Sequence, residues 1–131
     1  MRALVLLLIL VAACSSPTRP DRVPQGEPFS LRVGESALTA DELRIRFDTV
    51  RSDSRCPMDV MCVRAGEAVI ALTLSREGES GVGREVETTP ARSTTEYLNF
   101  SITLSSLQPY PRSDRPIQSA DYIATFVVKA R

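Results

Sequence analysis

The sequence predicts an all-β fold, an antiparallel β-sandwich of about six to seven short strands. Three observations carry this: apolar residues recur with a period of two in six segments, the breaks between them are rich in Gly, Pro, Ser and Asp, and no segment sustains a helical period. FSLRV sets Phe29, Leu31 and Val33 on one side. LRIRF sets Leu43, Ile45 and Phe47 against Arg44 and Arg46. EAVIALTLS alternates Ala68, Ile70, Leu72 and Leu74. REVET is short and charged, as suits an edge strand. EYLNFSITL reads as one strand with Leu98, Phe100, Ile102 and Leu104 facing the core, and DYIATFVVKA closes the chain with Tyr122, Ala124, Phe126 and Val128 in phase. ALTADELRI offers at most one helical turn around Ala40 to Leu43, capped by Thr39, and GVGRE from Gly81 reads as a hairpin turn.

The run SLQPYPRSDRPIQSADY resembles the corner between sheets in immunoglobulin-like domains, where a tyrosine near a strand start bonds back to the preceding turn. Tyr122 would be that tyrosine. A tyrosine whose ring fills the core while its hydroxyl meets solvent is the other reading. The sandwich expectation is therefore immunoglobulin-like, occupying residues 28–131 as one domain.

The N-terminus reads MRALVLLLILVAACSS. Arg2 is a positive n-region, and the apolar run Ala3 to Ala13 is too short to span a bilayer, which takes roughly 20 residues. It ends in Val11-Ala12-Ala13-Cys14, which resembles the lipobox of bacterial lipoproteins. That resemblance implies a signal peptide over residues 1–13, cleavage before Cys14, and lipidation of the Cys14 thiol and amino group. Several acyl chains then hold the protein on a membrane. Ser15, rather than Asp, follows the cysteine; by resemblance to Gram-negative lipoproteins this implies an outer-membrane location facing the periplasm. An ordinary secreted protein cut by the general signal peptidase is the alternative. Residues 14–27, with three prolines and little to bury, are expected to form the lipidated cysteine and a flexible tether. With the leader gone, basic and acidic residues nearly balance, so nucleic-acid binding has no support.

The chain holds three cysteines. If Cys14 carries lipid, an exported protein is left with Cys56 and Cys62 in an oxidising compartment, and these two are expected to pair. Gly66 would supply a left-handed backbone angle where the chain re-enters the sheet, and Asp53 and Ser54 would shape the turn. The stretch DSRCPMDVMCVRAGEA, from Asp53 to Ala68, resembles a motif of uncharacterised secreted and lipid-anchored bacterial proteins: DSRCP, four residues, Cys, two residues, then AG and an acidic residue. That family usually carries tryptophan where this chain has Arg64, so a binding role resting on that aromatic does not transfer. The resemblance implies a small β domain and brings no catalytic residue.

Several readings of the stapled loop compete. It is a structural staple, or a pre-organised recognition tip. The recognition candidates are Arg55, Met58, Asp59, Val60, Met61 and Arg64, joined by Tyr110, Arg112 and Arg115 of the proline-rich stretch PYPRSDRP. Two thioethers, Met58 and Met61, make a poor soft-metal site once the cysteines are bonded, and Asp53, Asp59 and Glu67 lack any EF-hand spacing. No metal or other cofactor is expected. The chain has no histidine, so Ser-His and Cys-His catalysis are excluded, and no catalytic residue is assigned. The expected function is a non-catalytic binding or structural module of the cell envelope. Its partners would be the membrane, through the lipid, and a protein of the envelope. The alternative is a periplasmic protease inhibitor acting through residues 56–62.

Overall fold

The computed structural model describes residues 22–131; the lipobox-like segment and Cys14 lie outside them. The described chain is an all-β sandwich of two four-stranded antiparallel sheets. Its eight strands are β1 (Pro28–Arg32), β2 (Ser36–Leu38), β3 (Leu43–Asp53), β4 (Ala68–Arg76), β5 (Val82–Glu87), β6 (Thr94–Tyr97), β7 (Phe100–Gln108) and β8 (Ile123–Ala130). One sheet runs β2-β3-β4-β5 and the other β1-β8-β7-β6. The likeness to immunoglobulin domains lies in the two facing antiparallel sheets. The connections are those of two meanders, with β1 added beside β8, so that most hydrogen-bonded neighbours are consecutive in sequence.

The core is built by the alternation read from the sequence. Leu43, Ile45 and Phe47 of β3, Ile70, Leu72 and Leu74 of β4, and Ala124, Phe126 and Val128 of β8 are all buried between the sheets. The Phe126 ring meets Phe47 edge-on at 6.3 Å and Phe29 at 6.0 Å, joining both sheets at the centre. Bulges change the phase where strict alternation would fail. One follows Leu104 in β7, so Leu104 and Leu107 both point inward although they are three positions apart. Two more interrupt the long β3, after Phe47 and after Val50.

Four expectations need correction. EYLNFSITL is two strands: a tight turn at Leu98-Asn99 joins β6 to β7, Leu98 takes a φ of 53°, and its side chain is exposed. The apolar leucine continued the alternation and hid the turn. Residues 39–42 form a hairpin turn, not a helical one: Thr39 N–H donates to Leu43 O at 2.9 Å, Leu43 N–H donates to the Thr39 hydroxyl at 3.2 Å, and Glu42 sits at φ 64°. The β4–β5 turn begins ahead of GVGRE and takes in only its first glycine, at residues 77–81, with Gly78 at φ 80°, while Val82 onward is already strand. Finally, the end of the expected tether is bound to the sandwich. Val23 bridges Thr39 and donates to Leu38 O at 2.9 Å, and Gly26 N–H donates to Val128 O at 2.8 Å. Arg22 pairs with Glu42 and Gln25 bonds Asp41. The folded unit therefore starts about five residues earlier than its apolar pattern suggests, because backbone and polar side-chain hydrogen bonds rather than apolar burial hold this segment.

The ends of the sandwich differ. The tight turns at 39–42, 77–81 and 98–99 lie at one end, where Arg22 and Val23 also enter. The long connections 54–67, 88–93 and 109–122 gather at the other.

Candidate functional site

At this loop end, β3 runs to Asp53 and β4 resumes at Ala68. Between them the chain stays laddered for a further step. Ser54 N–H donates to Glu67 O at 2.8 Å and Cys56 N–H to Ala65 O at 2.9 Å. The Ser54 hydroxyl donates to Glu67 O and accepts from Glu67 N–H. Gly66 closes against this ladder at φ 65°, and a Cβ there would lie 1.8 Å from Ser54 O. Beyond it, Cys56 and Cys62 form a disulfide with their Cα atoms 5.9 Å apart. The ring they close is short, and the chain-entropy model assigns it about 2 kcal/mol. Reduction should therefore lower the melting temperature measured by circular dichroism without removing the strand signal. A melt unmoved by reductant would remove the staple's part in stability.

Arg55, a recognition candidate in the sequence, is instead a buried strut. Only 6% of it is exposed. Its Nε and Nη2 form a bidentate pair with Asp53, at 2.8 Å to Oδ1 and 2.7 Å to Oδ2. The same guanidinium donates to Leu107 O at 2.7 Å and Pro109 O at 3.0 Å, and lies 4.9 Å from the Tyr110 ring centre. Asp53 also accepts from the Tyr122 hydroxyl at 3.0 Å. This is neither a local tyrosine corner nor a hydroxyl turned to solvent: donor and acceptor are 69 residues apart. Asp53 ends a strand of one sheet and Arg55 lies in the loop that follows it, while Leu107, Pro109 and Tyr122 belong to the other sheet or its loop, so the cluster clamps the two sheets together at this end. Burial alone would push the Asp53 carboxyl up; the hydrogen bonds and charge of Arg55, with the Tyr122 hydroxyl, outweigh it and hold it below the usual carboxylate range. Burial and the Asp53 carboxylate push the Tyr122 phenol up to about 12.

The stapled loop and the proline-rich loop are docked on each other. Met58 N–H donates to Pro111 O at 3.0 Å, Ser113 N–H donates to Asp59 Oδ1 at 2.9 Å, and the Ser113 hydroxyl bonds the same carboxylate. Those bonds hold the Asp59 carboxyl below its ordinary range. Arg112 reaches Met58 Sδ at 3.9 Å and pairs with Asp114, which Arg115 also approaches. Asp59 is thus a loop fastener. The three carboxylates weighed for calcium go different ways, and among the described residues no group of three metal-ligating side chains assembles.

What remains for contact is apolar. Met58 is 61% exposed, Val60 43%, and Met61 and Val63 are fully exposed. Val63 was absent from the sequence-based candidates, although it lies beside Cys62 and continues the apolar alternation of the tip. Arg64 and Tyr110 flank this tip and are exposed. Two hollows lie at the bases of the stapled and proline-rich loops, and none of the four apolar tip residues lines either. One, of about 340 Å³, is lined by Arg55, Gly66, Thr88, Pro90, Leu107 and Tyr110. The other, of about 280 Å³, lies under Tyr110, Arg112, Arg115, Pro116 and Ile117. Compared with protein-family models, with curated proteins and with solved structures, the chain matches none.

Proposed function

We propose that the chain is a lipid-anchored, non-catalytic binding module of the cell envelope, and that its stapled tip seats in an apolar cleft of a protein partner. The observation that carries this reading is the exposure of Met58, Val60 and Met61 on one ring whose two ends are fixed, with Val63 exposed just beyond it. Exposed apolar groups gathered at one place mark contact sites on soluble domains. Methionine, tyrosine and arginine are enriched in protein interfaces. A tip held by a disulfide, by backbone rungs and by Asp59–Ser113 loses little freedom on binding. The Cys56–Cys62 bond also suits an oxidising compartment.

The lipid reading rests on the lipobox-like Val11-Ala12-Ala13-Cys14. An anchor on Cys14 would join the domain at the tight-turn end, since the described chain enters beside Thr39. The tip is at the opposite end of β3, whose 11 residues at about 3.3 Å each span roughly 30–35 Å. A domain held this way presents its tip away from the membrane that carries it, which favours a protein partner over that membrane. The second reading, a protease inhibitor acting through residues 56–62, draws on the same full projection of Met61.

One experiment tests both parts. Cells expressing the full chain are labelled with a palmitate analogue, and the labelled protein serves as bait for envelope extracts. The wild type should take label and retain a discrete partner. Cys14→Ser should lose the label, and Met61→Asp with Val63→Asp should lose the partner while keeping the label. An unlabelled wild type sinks the anchor. A partner held equally by the charged-tip variant sinks the tip. Inhibition of a purified protease by the wild type alone would move the function to the inhibitor.

A further inference from the structure

Beyond partner docking, the stapled tip gathers sulfur. With Cys56 and Cys62 bonded to each other, Met58 and Met61 are the oxidisable sulfurs left among the described residues, and both lie inside the seven-residue ring. Their surroundings differ. Met61 is fully exposed. Met58 is partly covered, and the Arg112 guanidinium stands 3.9 Å from its Sδ.

We propose that Met61 is a modification site for hydroperoxides, and that its oxidation to the sulfoxide turns the tip from apolar to polar and releases the partner. The proposal rests on the binding reading for its consequence but not for its chemistry. A lone pair on Sδ attacks one peroxide oxygen; an S–O bond forms as the O–O bond breaks. The proton on the transferred oxygen passes, through water, to the departing alkoxide, which leaves as an alcohol, or as water when the oxidant is hydrogen peroxide. The sulfur loses two electrons and the peroxide gains them. Full exposure lets the oxidant approach Met61 from any side. At Met58 the guanidinium blocks one approach and, as a donor to sulfur, withdraws the lone-pair density that the attack uses. A sulfoxide is a polar group with a strong acceptor oxygen, so at Met61 it sets a hydrated dipole at the point that would enter an apolar cleft. Sulfoxide formation is reversible by methionine sulfoxide reductases, so the same tip can be restored.

The test treats the full chain with graded hydrogen peroxide and maps the sulfoxides by peptide mass spectrometry. Met61 should convert several-fold faster than Met58, and Arg112→Ala should narrow that difference by exposing Met58. Oxidised bait should lose the partner, sulfoxide reductase should restore it, and Met61→Leu should retain the partner through peroxide treatment. Equal conversion of the two methionines, or Met58 first, overturns the site assignment. Partner capture unaffected by a Met61 sulfoxide overturns the switch. If untreated bait retains nothing, the binding reading and the switch that depends on it both fail, while the order of conversion still decides the site.

Discussion

Replacing Arg55 with alanine should lower the domain's stability by about 3–5 kcal/mol, the range for breaking one side of a buried ion pair. Small domains hold only about 5–15 kcal/mol in total, so the loss is a large fraction. The reason is what the substitution strands. Asp53 would keep a buried charge with only the Tyr122 hydroxyl and the backbone amide of residue 55 facing it, and the carbonyls of Leu107 and Pro109 would lose their donor. Arg55→Lys keeps the charge but not the planar fork, so it should fall between the two. The effect has a pH signature. Asp53 titrates below its ordinary value in the folded wild type, so its contribution is present above the unfolded value of about 3.9 and is lost as the pH falls through the folded one. In Arg55→Ala the stranded carboxylate is relieved when it takes a proton. The difference in melting temperature between the two proteins should therefore be largest near neutral pH and narrow below about pH 4. Thermal melts followed by circular dichroism across this range decide it. A difference of under about 1 kcal/mol, or one that ignores pH, would mean that the pair is an ordinary surface salt bridge and no clamp.

Gly66→Ala is expected to cost about 3–4 kcal/mol. A left-handed backbone angle alone costs a residue with a Cβ about 1–2 kcal/mol. Here the added carbon would also lie 1.8 Å from Ser54 O, a backbone atom that cannot swing aside. To relieve the overlap the chain must open the Ser54–Glu67 rungs, worth about 1 kcal/mol each. Gly78 is the control. It has a similar angle, φ 80°, but open space around its Cβ direction, so Gly78→Ala should lose only the backbone share. Chemical unfolding of the two variants beside the wild type measures both terms. Equal losses at Gly66 and Gly78 would show that conformation, and not the close approach to Ser54, is what Gly66 supplies.

The staple residues and the strands were legible because their signals are local. A strand's alternation is written in each pair of neighbouring residues, and Cys56 and Cys62 stand close enough that a short turn brings them together. The misreadings are local as well. Leu98 kept the apolar phase through a turn, and the glycines of GVGRE drew attention away from residues 77–81. The recognition candidates divide differently. Met58, Val60 and Met61 project as their place in the loop suggests, whereas Arg55 is turned inward and Asp59, though exposed, is taken up by Ser113, their partners lying 52 to 54 residues away.

The sequence by itself determined the fold class, most of the strands and core residues and the place of the crosslink, because periodicity and spacing act over a few residues; it passed over the short β2 and ran β6 and β7 together. Only the tertiary structure decided that Arg55 is buried. A lone guanidinium is too costly to remove from water, and nothing beside it in sequence announces that Leu107, Pro109 and Tyr110 will meet it. The same holds for Tyr122 and Asp53, whose bond exists because the sheets bring together residues from opposite halves of the chain. The polarity of the domain, with its entry at one end and its apolar tip at the other, is likewise a property of strand direction and sheet order, which no single segment encodes.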